Sequence, residues 1–189
     1  MTFVSDLAAR ISKGFAYPSR FKIRISLRNP QFLSNKLIEN SIDNNDIVEP
    51  WASGLDNNIM RDLSFNCDTS QLHGSGLASI EQRYIGAVRK MPYSRFFTDI
   101  TFTFYCSKDH KEYKFFQGWH DLIYPTDTNQ VEYYENYIGD IEVIQLDKSD
   151  NEIMVTNITE AWPLSVAPID LNYADTNVVE KLSVTFAWK

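Results

Sequence analysis

Three stretches of this chain alternate apolar and polar residues with a period of two, and that repeat narrows the possible folds more than anything else in it. Phe21, Ile23, Ile25 and Leu27 alternate with Lys22, Arg24, Ser26 and Arg28. Phe102 and Phe104 stand opposite Thr101, Thr103 and Tyr105. Leu182, Val184, Phe186 and Trp188 alternate with Ser183, Thr185 and Ala187. Successive side chains of a strand point to opposite faces, so each stretch is expected to be a half-buried strand. In the first of them the wet face is basic.

Between these stretches the pattern changes. Phe3 to Phe15 has helical spacing, with Val4, Leu7, Ala8 and Ile11 on one face, and Gly14 and Pro18 end it. Residues 29–60 are rich in Asn and Asp, include Pro30 and Pro50, and hold only scattered apolar residues, which reads as a long insertion with Trp51 and Leu55 as possible anchors. Strand character is expected at Leu63 to Asp68, then at Ala78 to Ile85 and Ala87 to Tyr93 around Gly86. Asp109 to Tyr124 reads as the one solid internal helix: Asp109 is a possible cap, Phe115, Phe116, Trp119, Leu122 and Ile123 recur at helical spacing, and Pro125 stops it. A loop with Tyr133, Tyr134 and Tyr137 leads to a strand at Asp140 to Leu146, a turn at Lys148 to Asn151, and a hairpin partner at Glu152 to Glu160. Trp162-Pro163 reads as a break before the closing strand. Strands and helices do not alternate regularly, so an antiparallel sandwich or barrel with helices on its flank is favoured over a parallel doubly wound sheet.

A chain of 189 residues with 43% hydrophobic and 14% aromatic content is expected to form one ordered domain over 1–189. Its formal net charge of −7 leaves no global footprint for wrapping nucleic acid. No apolar run approaches the roughly 20 residues of a spanning helix. The start, MTFVSDLAARISKGFAYP, lacks a basic segment followed by a long apolar core, so no secretory signal is expected. Cys67 and Cys106 read as free thiols in a reducing compartment.

Nothing in the sequence spells a catalytic constellation. His73, His110 and His120 are far apart and stand in no HExxH or CxxC pattern, and His120 reads as a packed or hydrogen-bonded residue. The Gly-rich phosphate loops and the GxSxG elbow are missing, and Gly74-Ser75-Gly76 is too short to cradle phosphate. Asp121, Glu132, Glu135 and Asp140 read as solvated carboxylates, and Asp43, Asp46 and Glu49 lack EF-hand spacing. The expectation is a non-enzyme without cofactor or metal. Many strands with free edges point to a protein that binds or assembles.

Three blocks together carry a family resemblance. They are FVSDLAARISKGFAYPSRFKIRIS from Phe3, the span from Phe65-Asn66-Cys67 to Trp119, and EIMVTNITEAWPLSVAPIDLNYADTNVVEKLSVTFAWK from Glu152. The chain resembles the tail tube proteins of contractile-tailed bacteriophages, a family that includes baseplate tube proteins and is similar in fold to type VI secretion tube proteins. The insertion at 29–60 is longer than the family's turn there.

The resemblance implies a mainly β fold of two packed antiparallel sheets, as a sandwich or half-barrel, with a flanking α-helix and a short N-terminal helix. It implies a virion protein of the tail, assembled in the host cytoplasm, that forms hexameric rings stacked into a hollow tube inside a contractile sheath. Implied partners are further copies of the chain, the sheath protein, baseplate tube and tail terminator proteins, a tape measure protein in the lumen, and DNA that passes without specific binding; no membrane insertion is implied. On that reading the Leu77 to Tyr93 hairpin lines the lumen with Ser79, Glu81 and Arg83 on one face. Phe3, Phe15, Tyr17, Trp51, Leu55 and Ile85 are expected at contacts between subunits. The alternatives are a baseplate tube initiator, a tube protein of a contractile injection system, or a monomeric β-sandwich module that binds a ligand through Trp51 and the Tyr133, Tyr134 and Tyr137 group.

Overall fold

In the computed structural model, residues 18–35, 57–83, 85–126, 128–174 and 178–189 are described. The expected N-terminal helix and most of the 29–60 insertion, with Phe3, Phe15, Tyr17, Trp51 and Leu55, lie outside them. The alternating stretches are strands. β1 (Phe21–Leu27), β5 (Ile100–Tyr105) and β8 (Lys181–Ala187) belong to one six-stranded antiparallel sheet with β2 (Cys67–Ser70), β6 (Gly139–Leu146) and β7 (Glu152–Val166). The spatial order is β1-β6-β7-β8-β5-β2. A second, two-stranded sheet is the hairpin of β3 (Ser75–Gln82) and β4 (Arg89–Phe97). The mainly β, antiparallel fold with a flanking helix is therefore present, and its two sheets are unequal.

Register explains why the period of two buries one face. Ile23 pairs with Val143 and Ile25 with Ile141, and all four side chains are buried. Phe102 pairs with Val184 and Phe104 with Leu182, again all buried. Against this face lies α2 (Lys111–Ile123), which contributes Phe115, Phe116, Trp119 and Leu122 to the same core. Edge-to-face ring contacts lock it: Phe116 and Trp119 meet Phe186 at centroid distances of 5.9 and 6.0 Å. The Trp119 indole also donates to the Tyr137 carbonyl at 2.7 Å, which gives its buried N–H a partner.

Six local expectations are corrected. Leu63 to Asp68 is not one strand. α1 (Asn57–Asn66) runs through Leu63, and the sheet is joined only at Cys67. Ile59 and Leu63, four apart, share the buried face of this helix, whereas Phe65 is 77% exposed and would have been buried by a strand period. Within the insertion, residues 30–35 are also helical, so its first part is not loop.

The Trp162-Pro163 break is likewise absent. β7 runs straight through it and changes partners, pairing with β6 up to Ala161 and with β8 from Trp162. Pro163 is tolerated because the register shifts beside it, between Pro163 and Ser165, where a missing N–H disrupts no regular ladder. A second irregularity precedes the switch. Glu160 takes a positive φ of 53°, and its N–H donates to Asp140 Oδ1 at 3.1 Å.

The helix expected from Asp109 begins at Lys111, and its cap position is His110, in the left-handed region with φ 50° and no side-chain cap bond. Asp109 instead faces Lys111 Nζ at 4.0 Å. The tyrosine-rich loop contains one helical turn, α3 (Tyr134–Tyr137). The hairpin extends further than expected at its root and stops short at its turn. It starts at Ser75 and ends at Phe97, and the link between its strands includes Gly86 at φ 93°.

Candidate assembly interface

The β3–β4 ribbon stands largely exposed. Among the described residues it hydrogen-bonds to no other strand, and every residue of β4 is exposed. Ser75, Leu77, Ser79 and Glu81 share one face with Phe97, Arg95, Pro92 and Lys90; Gly76, Ala78, Ile80 and Gln82 share the other with Phe96, Ser94, Met91 and Arg89. The register shift opposite Ala78 and Ser79 leaves Tyr93 as the extra residue. Leu77, Ile80, Met91, Tyr93, Phe96 and Phe97 are all exposed, and Ile85 in the connection is 99% exposed. A lone two-stranded ribbon is marginally stable in water. So many exposed apolar residues, on both faces of one ribbon, mark an interaction site.

Its root is firmly held. Thr98 N donates to the Gly74 carbonyl at 3.1 Å, and Gly74 N donates to Thr98 Oγ1 at 3.2 Å. Trp188, just past β8, packs on Phe97 at 4.8 Å and on His73 at 5.4 Å, and its indole donates to the Thr98 carbonyl at 3.0 Å. Gly76 lies under the Phe96 ring, and a Cβ there would run into it. Thus Trp188, which continues the alternation of the last strand and is half-buried against the edge of the core, also clamps the ribbon.

Of the expected lumen residues, Ser79 and Glu81 do share one face of the ribbon, and Arg83 follows the end of β3. Glu81 meets Lys90 across the strands at 3.8 Å. The ribbon's charge is a feature the whole-chain count hides. Arg83, Arg89, Lys90 and Arg95 stand against the single carboxylate of Glu81, although the chain as a whole is acidic.

The wet face of β1, basic in sequence, is matched by acids. Arg24 donates to Glu142 on the paired strand at 2.6 Å, Arg28 to Glu135 at 3.2 Å, and Arg20 to Asp150 at 2.9 Å. At the far edge of the sheet Asp68 accepts from Lys181 Nζ and from the Tyr105 hydroxyl, each at 2.7 Å. Lys181 foremost, then Tyr105, holds the Asp68 carboxyl below its ordinary value. Glu112 is a buried carboxylate. It accepts from Asn66 Nδ2 at 2.7 Å, Ser107 N at 3.0 Å and Ser107 Oγ at 2.8 Å. Burial pushes its carboxyl up, but these donors outweigh burial and the net direction is down.

Both cysteines are free thiols, half-buried, and burial first, with Asp68 adding to it, pushes Cys67 up to about 12. His120 packs as the sequence suggests, with Nε2 3.4 Å from the Leu164 carbonyl. His110 does not stand alone. Its ring, the Cys106 thiol and the Glu180 carboxylate come together, a grouping the sequence reading missed although the Cys106-x3-His110 spacing was in view.

The family model for phage tail tube proteins matches residues 16–189. The chain belongs to that family. Its fold resembles the tube-bearing assemblies of an extracellular contractile injection system. One similar chain comes from a PVC sheath–tube complex in the extended state, with a TM-score of 0.60 and 17% identity over 100% of this chain and 95% of that one. Another comes from a PVC sheath/tube terminator in the extended state, with a TM-score of 0.58 and 17% identity over 93% and 94% of the two chains. At this identity the likeness concerns the fold. No curated protein sequence matches the chain. The family is one of structural tube proteins rather than of enzymes.

Proposed function

We propose that the chain is a tube subunit that joins copies of itself into hexameric rings, stacked into a hollow conduit within a contractile tail. The observation that carries this reading is the β3–β4 ribbon. Among the described residues nothing covers its exposed apolar side chains or pairs its edges, and a ring of identical subunits supplies six covering surfaces at once. Ile85, at the ribbon's end, would then contact the neighbouring subunit. Phe3, Phe15, Tyr17, Trp51 and Leu55 would serve contacts between rings or with the sheath protein. A terminator protein and a baseplate tube protein would close the two ends. The particle would be a phage-like virion assembled in the host cytoplasm, with a tape measure protein and then DNA in the lumen.

If the ribbon lines that lumen with Ser79, Glu81 and Arg83, its local charge matters more than that of the whole chain. Four cations against one carboxylate attract phosphate, so DNA would feel a weakly holding wall whose grip falls with salt. A second reading, the tube of a contractile injection system, draws support from the fold shared with the PVC sheath–tube complex. In that case the cargo need not be nucleic acid.

Electron microscopy of the purified chain at high concentration tests the proposal, with mass measurement in solution beside it. Six-subunit rings and tubes are the expected result. Rings that never elongate would favour a baseplate initiator. A persistent monomer would overturn the tube reading in favour of a binding module.

A further inference from the structure

Cys106, His110 and Glu180 lie at the meeting of three segments: the end of β5, the residue that opens α2, and the approach to β8. Their ligand atoms, the Cys106 Sγ, one His110 ring nitrogen and one Glu180 carboxylate oxygen, all fall within 4.8 Å of one another. The backbone holds them in place. Cys106 N donates to the Glu180 carbonyl at 3.0 Å, and His110 N donates to the Ser107 carbonyl at 2.9 Å. His110 adopts φ 50°, a conformation seldom taken by a residue with a side chain, and this turns its ring at the edge of the helix.

His110 and Glu180 face each other without a hydrogen bond between them. His110 Nδ1 stands 3.7 Å from Glu180 Oε2, beyond hydrogen-bond reach. That separation suits two ligands of one ion: a tetrahedral zinc with bonds of about 2.0–2.3 Å keeps its ligand atoms roughly 3.3–3.8 Å apart. The charge environment agrees. Cys106 has the carboxylates of Glu112 and Glu180 near it, negative charge that attracts a cation. A bound divalent ion would take Cys106 as its thiolate, as cysteine ligands of zinc do.

We infer that Cys106, His110 and Glu180 bind one divalent cation of the zinc class. One sulfur, one imidazole nitrogen and one carboxylate oxygen suit a borderline metal and disfavour calcium and magnesium, which take oxygen ligands. Three protein ligands leave a fourth position for water. The ion ties the start of α2 to the β5–β8 pair, so its role is to brace the subunit independently of any tube.

The test uses the untagged full-length chain, stripped with a chelator and titrated with cobalt(II), then with zinc. The expected result is one cobalt per chain, with a thiolate-to-cobalt absorption band and tetrahedral d–d bands, both displaced by zinc. Cys106→Ser should abolish the thiolate band. His110→Gln and Glu180→Gln should each weaken binding at least tenfold, and both are conservative enough to fold, as circular dichroism would check. No cobalt binding by the natural chain would overturn the inference. So would binding that all three variants leave unchanged, which would place the ion elsewhere.

Discussion

The Trp188 indole N–H donates to the Thr98 carbonyl at 3.0 Å, joining the last strand of the large sheet to the root of the exposed ribbon. With the Phe97 ring tilted against it at 4.8 Å, this side chain joins the Gly74–Thr98 hydrogen bonds in holding the ribbon's root. Trp188→Ala removes both contacts. The expected loss of stability is about 2 kcal/mol in urea unfolding, less than for a fully buried Trp because Trp188 is half-buried. Hydrogen exchange across residues 75–97 should speed up far more than exchange in the core. Equal acceleration everywhere would show that Trp188 is ordinary core and not a clamp.

Glu112 is only 2% exposed and depends on three donors from Asn66 and Ser107. Glu112→Ala leaves those donors without their acceptor and is expected to cost about 1–3 kcal/mol. Asn66→Ala removes a single donor and should cost less. Chemical denaturation of the two variants checks the order, and a larger loss for Asn66→Ala would contradict it.

The strands with a buried and a wet face were legible in the sequence, because burial writes its period into residues such as Ile23 and Ile25 or Val184 and Phe186. The ribbon's limits were not. β4 is exposed along its whole length, and β3 half-buries only Gly76, Ala78 and Gln82, so Ser75 to Phe97 carries no row of buried apolar residues to read. Leu63, Phe65 and Cys67 offered a period of two that α1 overrides, and only the fate of Phe65 distinguishes the two readings. Glu180 could not be joined to Cys106 and His110 beforehand, because the β5–β8 register that sets Tyr105 beside Lys181 is a fact of the fold.

Asp68, Lys181 and Tyr105 give the far edge of the sheet a defined response to pH. Asp68 is lowered, so its stabilisation is full above its ordinary carboxylate value and is lost as pH falls through the lower folded value. Lys181 and Tyr105 are both raised, chiefly by bonding to Asp68, so their share is full below their ordinary values and is lost as pH rises through the higher folded ones. Asp68→Asn should flatten both the acid and the alkaline limb of a stability–pH profile. An unchanged profile in that variant would count against the pairing.

The ribbon itself offers the sharpest separation of folding from assembly. Ile85 is 99% exposed and Phe96 lies on the ribbon's apolar face, so Ile85→Asp alters no buried contact within the subunit. Its stability in urea unfolding should match that of the natural chain within the roughly ±0.5 kcal/mol typical of surface substitutions. Rings and tubes should nevertheless fail to form, because a carboxylate would be buried without a partner at the contact between subunits. Gly76→Val is the complementary variant. It pushes the Phe96 ring off its seat and should weaken assembly by reshaping the apolar face rather than by adding charge. Sedimentation velocity with electron microscopy reads both variants, and normal tubes from Ile85→Asp would show that the end of the ribbon is not where subunits meet.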